Sequence, residues 1–186
     1  MRALLAACLL SAASIAGAQQ APDSARLSGL VRAHGATFWI DAPAGWTLDR
    51  EAGLADDLVA VLYRTGTTWA TSEPVMFIDV SALDEGDSLG ISRVIVADVS
   101  RWKKQASDVK VARADTVRTA NGQRLTIRLF SSAQAKHYEA VAYVAAGDRV
   151  WILVLAAKTP QARTAAYSDF LALVRSYRPG PEVTEP

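Results

Sequence analysis

The chain is 186 residues long, with 51% hydrophobic side chains and a formal net charge of +1 from 20 Lys and Arg against 19 Asp and Glu. That length and apolar content suit one domain with a full core. A near-zero balance with no basic run beyond Arg101-x-Lys103-Lys104 argues against nucleic acid as a partner.

Met1-Arg2, the small and apolar run Ala3 to Ile15, and Ala16-Gly17-Ala18 form the pattern of a secretory signal, expected to be cut before Gln19. The run falls short of the roughly 20 residues that span a bilayer, and no later segment reaches that length. The expectation is an exported chain, periplasmic or secreted, without a transmembrane segment. Leu5-Ala6-Ala7-Cys8 also fits a short lipobox, so lipidation at Cys8 is the alternative. Cleavage after Ala18 removes the single cysteine, and with it disulfides, thiol catalysis and thiolate metal sites.

Residues 19–33 read as a polar, flexible lead-in. Thr37 to Ile40, with Phe38 and Ile40 on one face, reads as a strand running into the turn Pro43-Ala44-Gly45-Trp46 before Thr47-Leu48. Leu58 to Tyr63 is apolar on both faces, as in a central strand, and Thr65 to Pro74 is a polar loop carrying Trp69. Val75 to Leu83 alternates, with Val75, Phe77, Asp79 and Ser81 on one face and Met76, Ile78, Val80 and Ala82 on the other. The period then changes. Leu89, Ile91, Val94, Ile95, Val99 and Trp102 share one helix face, predicting a helix over about 88–104 capped by Asp87 or Ser88. Val94-Ile95-Val96 would also suit a strand.

Val109 to Arg118 and Arg124 to Phe130 flank Asn121-Gly122, the signal of a type I′ hairpin turn with positive φ at both central residues. Such a turn sets Asp115 opposite Arg128 and puts Leu125, Ile127 and Leu129 on the buried face. A second hairpin joins Tyr138–Ala145 to Val150–Ala156 around Gly147-Asp148, and the wholly apolar Val150 to Leu155 predicts a central strand. Pro160 after Thr159 opens a closing helix over about 160–177, carrying Tyr167, Phe170, Leu171, Val174 and Tyr177. Pro179-Gly180-Pro181 ends it, and 179–186 reads as a disordered tail. Short turns between strands give an antiparallel sheet of about six to seven strands with two main helices, one α+β domain over 34–178. The charge is unevenly divided: residues 19–100 hold 5 basic and 12 acidic side chains, residues 101–186 hold 14 and 7. The expectation is that the halves interleave in one sheet and their charges attract; the alternative is a basic face for an anionic partner.

Phe38-x-Ile40-x-x-Pro43-x-Gly45-Trp46, the long helix after the early strands, and two late hairpins with a closing helix resemble the PsbP/Mog-like (DcrB-like) family over roughly 35–178. The resemblance implies a non-enzymatic binding or assembly role on a larger complex. It carries over no site residue, because fold alone does not assign function.

Gly86-Asp87-Ser88-Leu89-Gly90 matches the nucleophile motif of GDSL-type hydrolases. A serine nucleophile needs a histidine base, an orienting carboxylate and oxyanion donors. The only downstream histidine is His137, which lacks an Asp three residues before it, and the only asparagine, Asn121, is required by a turn. Asp87 and Ser88 therefore read as a helix cap. His137 and Glu139, at i and i+2, share a strand face and with Asp115 or Asp148 could approach a metal, but two ligand-type residues read better as solvent-facing polar positions. His34 falls by the lead-in. Of five tryptophans, Trp39, Trp46, Trp102 and Trp151 lie in or beside core-patterned segments. Trp69 lies among Gly, Thr and Ser, where it either anchors an interface or folds back over a sheet edge.

The reading is an exported α+β binding or assembly module whose partner is another protein of the cell envelope, with Trp69 as the candidate interface residue. No catalytic residue, metal ligand or cofactor is assigned. A small-ligand or lipid-binding protein, with a cavity between the sheet and the 88–104 helix, is the first alternative, and a serine hydrolase the second.

Overall fold

The computed structural model describes residues 28–83 and 90–181. In chain order the elements are β1 (Ser28–Ala33), β2 (Ala36–Asp41), β3 (Trp46–Asp49), β4 (Ala60–Arg64), β5 (Val75–Ala82), α1 (Ile91–Gln105), β6 (Lys110–Arg118), β7 (Arg124–Ser132), β8 (His137–Ala146), β9 (Arg149–Ala157), α2 (Pro160–Ser176) and β10 (Arg178–Pro179), with a 3-10 turn at Leu54–Asp56. Seven strands form one antiparallel sheet in the order β3-β4-β5-β9-β8-β7-β6. The α+β architecture, the seven-stranded sheet and both helices agree with the sequence reading. Among the described residues no helix is long and apolar enough to cross a membrane.

The apolar runs explain the sheet order. β9 is the middle strand, and Val150 to Ala157 are buried throughout, because both its faces are covered. β5 alternates as predicted: Met76 and Ile78 are fully buried toward α2, while Val75 and Phe77 lie half-buried toward α1. α2 closes the first face. Thr159 caps it, its hydroxyl accepting from Ala162 N at 3.1 Å, with Pro160 in the first turn. Phe170, Leu173 and Val174 of α2 are fully buried against Leu153, Leu155 and Ala142 of the sheet, each such side chain contributing roughly 1.5–3 kcal/mol on burial. α1 covers the opposite face with Val94 and Trp102. It begins after Gly90, which takes φ 43°, and its expected cap, Asp87 or Ser88, lies outside the described residues.

Four expectations fail for physical reasons. Residues 28–33 are not a lead-in: they pair with β2 from Ser28 opposite Asp41 to Ala33 opposite Ala36. The strand is hidden in the sequence because, over 29–33, Val31 alone is fully buried. β1, β2 and β10 form a separate three-stranded sheet, so the Phe38 strand does not extend the main one. Instead it packs Phe38 between Trp151 (ring centroids 4.7 Å apart) and Tyr177 (5.7 Å). Residues 179–181, expected to begin a disordered tail, are tied to the smaller sheet: Pro179 pairs with Phe38, Gly180 N donates to Thr37 O at 2.9 Å and Thr37 Oγ1 donates to Pro181 O at 2.5 Å.

The Asn121-Gly122 turn is also of another type. Positive φ falls on Gly122 (89°) and not on Asn121. Gly122 N donates to Thr119 O at 2.9 Å and Thr119 N to Gln123 O at 3.0 Å. This is a three-residue loop with glycine in the left-handed position. The second hairpin forms as read, Ala146 opposite Arg149 around Gly147 (φ 63°) and Asp148.

The fourth failure is the charge arrangement. The halves do not interleave, because β3, β4 and β5 run together along one side of β9 and β6, β7 and β8 along the other. Residues 46–82, spanning the first group, hold six acidic and two basic side chains; residues 110–146, spanning the second, hold six basic and two acidic. The sheet therefore has an acidic flank and a basic one.

Candidate binding surfaces

On the acidic flank the β4–β5 connection is fixed by its own hydrogen bonds. Arg64 O accepts from Thr67 N (3.0 Å) and Thr67 Oγ1 (2.6 Å), and Ser72 Oγ accepts from Arg64 N (3.1 Å) and donates to Pro74 O (3.0 Å). These bonds fix the loop that carries Trp69, which lies half-buried over the inner strand β5. Its ring meets Phe77 edge-on at 6.3 Å, and Nε1 donates to Asp56 Oδ2 at 2.9 Å. The ring folds back onto Phe77 and keeps part of its surface exposed. Asp56 ties the Trp69 loop to the 3-10 turn, where Leu54 is 64% exposed, one of two large hydrophobic side chains so exposed among the described residues. Glu51, Asp56 and Asp57 are exposed around this pair.

Under α1 a second set of polar side chains is brought together. Asp98, only 6% exposed, accepts from the Tyr143 hydroxyl at 2.5 Å and from Arg101 Nη2 at 2.5 Å. Burial, then the Asp98 carboxylate, pushes the Tyr143 phenol far above its ordinary range. One turn further on, the Trp102 ring stacks on Phe130 (5.5 Å) and tilts against His137 (4.9 Å). His137 and Glu139 do share a strand face, with Nε2 and Oε1 3.0 Å apart. Glu139 is 7% exposed, because that face is covered by α1 rather than turned to solvent. The hydrogen bond to Glu139 raises the imidazole pKa against the opposing effect of burial. The polar cluster fastens the helix to the sheet.

The remaining candidates scatter. Asp148 is held by Arg149 at 2.7 Å, and Asp115 lies beside Tyr167 of α2, whose phenol burial and that carboxylate push up to about 12. Neither joins His137 and Glu139, and no group of three or more His, Cys, Asp or Glu gathers among the described residues. His34 sits in the β1–β2 turn, its carbonyl accepting from Arg149 Nη1. Ser88 lies outside the described residues, and His137, its one downstream base, is engaged with Glu139 and Trp102.

The basic flank holds the arrangement that sequence reasoning missed. The β6–β7 register shifts between Arg113 and Thr116, so two residues, Ala114 and Asp115, face Ile127 alone. The cause is parity. Val111 packs toward α1 and Val117 toward α2, yet an unbroken strand would put both on one face. The bulge turns Asp115 away and sets Arg113 opposite Arg128, with Arg118 opposite Arg124 beyond it. The expected Asp115–Arg128 pair does not form. Arg113, Arg118 and Arg124 are exposed and Arg128 half-buried, and no carboxylate of the described residues forms an ion pair with any of the four. Like charges directly opposed across a pair of strands are destabilising.

No protein-family model matches the sequence, and no curated protein matches it. Among solved structures the chain is similar to cyanobacterial PsbP (CyanoP) from Synechocystis sp. PCC 6803. The match has 10% identity, covers 77% of this chain and 86% of that one, and has a TM-score of 0.51. At that identity what is shared is the architecture, and it agrees with the resemblance read from the Phe38 to Trp46 segment and the order of elements. The chain has a PsbP-like α+β fold.

Proposed function

We propose that the chain is an exported, non-enzymatic binding or assembly module that meets another protein of the cell envelope through Trp69 and Leu54. The observation that carries this reading is the exposure of Leu54 beside a tryptophan already fixed by Asp56 and Phe77. An aromatic held in place before binding loses little side-chain entropy on binding, which is how interface anchors gain affinity. The acidic rim of Glu51, Asp56 and Asp57 gives the partner's contacting surface a basic character. The PsbP-like fold supports the reading at the level of architecture only.

The test is recovery of a partner by tagged, mature chain from a periplasmic extract, comparing wild type with Leu54→Asp and Trp69→Ala. Leu54 is exposed, so Leu54→Asp should fold normally and lose the protein that wild type retains. Recovery of the same proteins by all three chains would refute this surface. Mass spectrometry of the chain exported from its own host should show Gln19 at the N-terminus; a lipid on Cys8 would instead place it on a membrane.

A further inference from the structure

We propose that the basic flank is a docking site for an extended acidic polypeptide segment, added as a strand to the free edge of β6. The proposal rests on the reading of the chain as a binding module but not on Trp69, which lies on the other flank. Two independent observations meet here. β6 ends the seven-stranded order, so among the described residues its outer backbone N–H and C=O groups have no strand partner, and a polypeptide could satisfy them. Beside that edge, on the α1 side, stand the opposed pairs Arg113–Arg128 and Arg118–Arg124, with Thr116 opposite Thr126 between them.

The spacing sets the ligand. On β7 the two arginines are four residues apart, about 13 Å along a strand, so carboxylates at i and i+4 of an added strand would reach both pairs. All four cations are arginines, whose planar forks bind carboxylates two bonds at a time. Charged residues and a bulge on an edge strand also keep copies of a protein from pairing edge to edge. Lys110, Arg113 and Arg118 would do so here, since a second β6 would bring like charges together. The same repulsion leaves an acidic strand as the accepted partner. A guard on β6 alone would not require Arg124 and Arg128 on β7, where they only add repulsion. A bilayer would use the charges but not the open edge.

The test uses a fluorescent peptide of roughly nine residues alternating Thr and Glu, titrated with the mature chain at low salt. Wild type should bind with a Kd below about 100 μM. Arg113→Glu with Arg128→Glu should weaken binding about tenfold or more, circular dichroism confirming the fold, and raising salt from about 50 to about 300 mM should weaken wild type far more than the double variant. A peptide alternating Pro and Glu has the same charge without a donor at every second residue, and it should bind about tenfold more weakly. Hydrogen exchange of β6 amides should slow with the Thr-Glu peptide alone. The proposal is overturned if the Thr-Glu peptide does not bind, if charge reversal leaves it bound, or if the Pro-Glu peptide binds equally. It is also overturned if vesicles with about 30% phosphatidylglycerol bind as tightly while the peptide does not. Trp69→Ala should leave peptide affinity unchanged; a Trp69 surface that recovers no partner beside intact peptide binding would refute that surface alone.

Discussion

The two flanks of the sheet solve the edge of an antiparallel structure in opposite ways. On the acidic flank the last strand, β3, is short, and its charges are taken up internally. Asp49 accepts from the backbone of Glu51 (2.8 Å) and Ala52 (2.9 Å) and from the Tyr63 hydroxyl (2.9 Å), and Arg64 bridges to Asp169 on α2 at 3.1 Å while lying over the Trp46 ring. What this flank leaves unused is an apolar pair, Leu54 beside Trp69, rimmed by the exposed carboxylates of Glu51 and Asp57. On the basic flank the last strand, β6, is nine residues long and bulged, and what it leaves unused is charge. Interaction surfaces are found where a fold leaves local rules unsatisfied, and the two flanks leave different rules unsatisfied.

Substitutions on each flank break or sharpen that contrast. The largest effect belongs to Trp102, which holds α1 over the basic flank. Trp102→Ala should cost about 3–5 kcal/mol and lower the melting temperature by roughly 10 °C. Asp98→Ala should follow at about 2–3 kcal/mol, measured by urea unfolding, because the buried Tyr143 hydroxyl loses its acceptor. A cost under about 0.5 kcal/mol would mean that the polar cluster does not fasten the helix.

Trp69→Ala should cost about 1–2 kcal/mol, a melting shift of a few degrees, since half of its ring and one hydrogen bond to an exposed carboxylate are lost. A loss on the scale of Trp102 would make it a core residue. His137 gives a pH signature. Its folded pKa is raised, so its pair with Glu139 contributes below about pH 6.5 and that contribution is lost as pH rises through the raised value. Wild type should therefore lose stability across that window relative to His137→Gln; parallel profiles would contradict the assignment. The smallest effect is the most specific to the contrast. Arg113→Glu replaces an opposed pair of cations with an ion pair and should stabilise the chain by a few tenths of a kcal/mol, although it removes a native side chain.

The sequence showed which segments become strands and helices, because period and turn chemistry are local. The Met76/Ile78 alternation, the apolar Val150 run and Thr159-Pro160 each mark their element correctly. What it could not show was set by tertiary demand. β1 is hidden because a strand that fully buries one valine over 29–33 has no period. The bulge is hidden because it answers two cores at once, and Val111 and Val117 reveal their conflict of parity only when both helices are placed. Asp56 as the partner of Trp69 is likewise invisible 13 residues away. The segregation of charge was legible as a count, 5 and 12 against 14 and 7, but the order of strands decided whether it would cancel.

One nuclear magnetic resonance titration tests that segregation most directly: the mature chain against the Thr-Glu peptide and, separately, against its Thr-Lys counterpart. Two functional flanks predict that the acidic peptide shifts amides within 110–128 and leaves 46–79 unmoved, while the basic peptide shifts amides around Leu54 and Trp69 and leaves β6 and β7 unmoved. Shifts from both peptides on one common set of residues, or none from either, would contradict it.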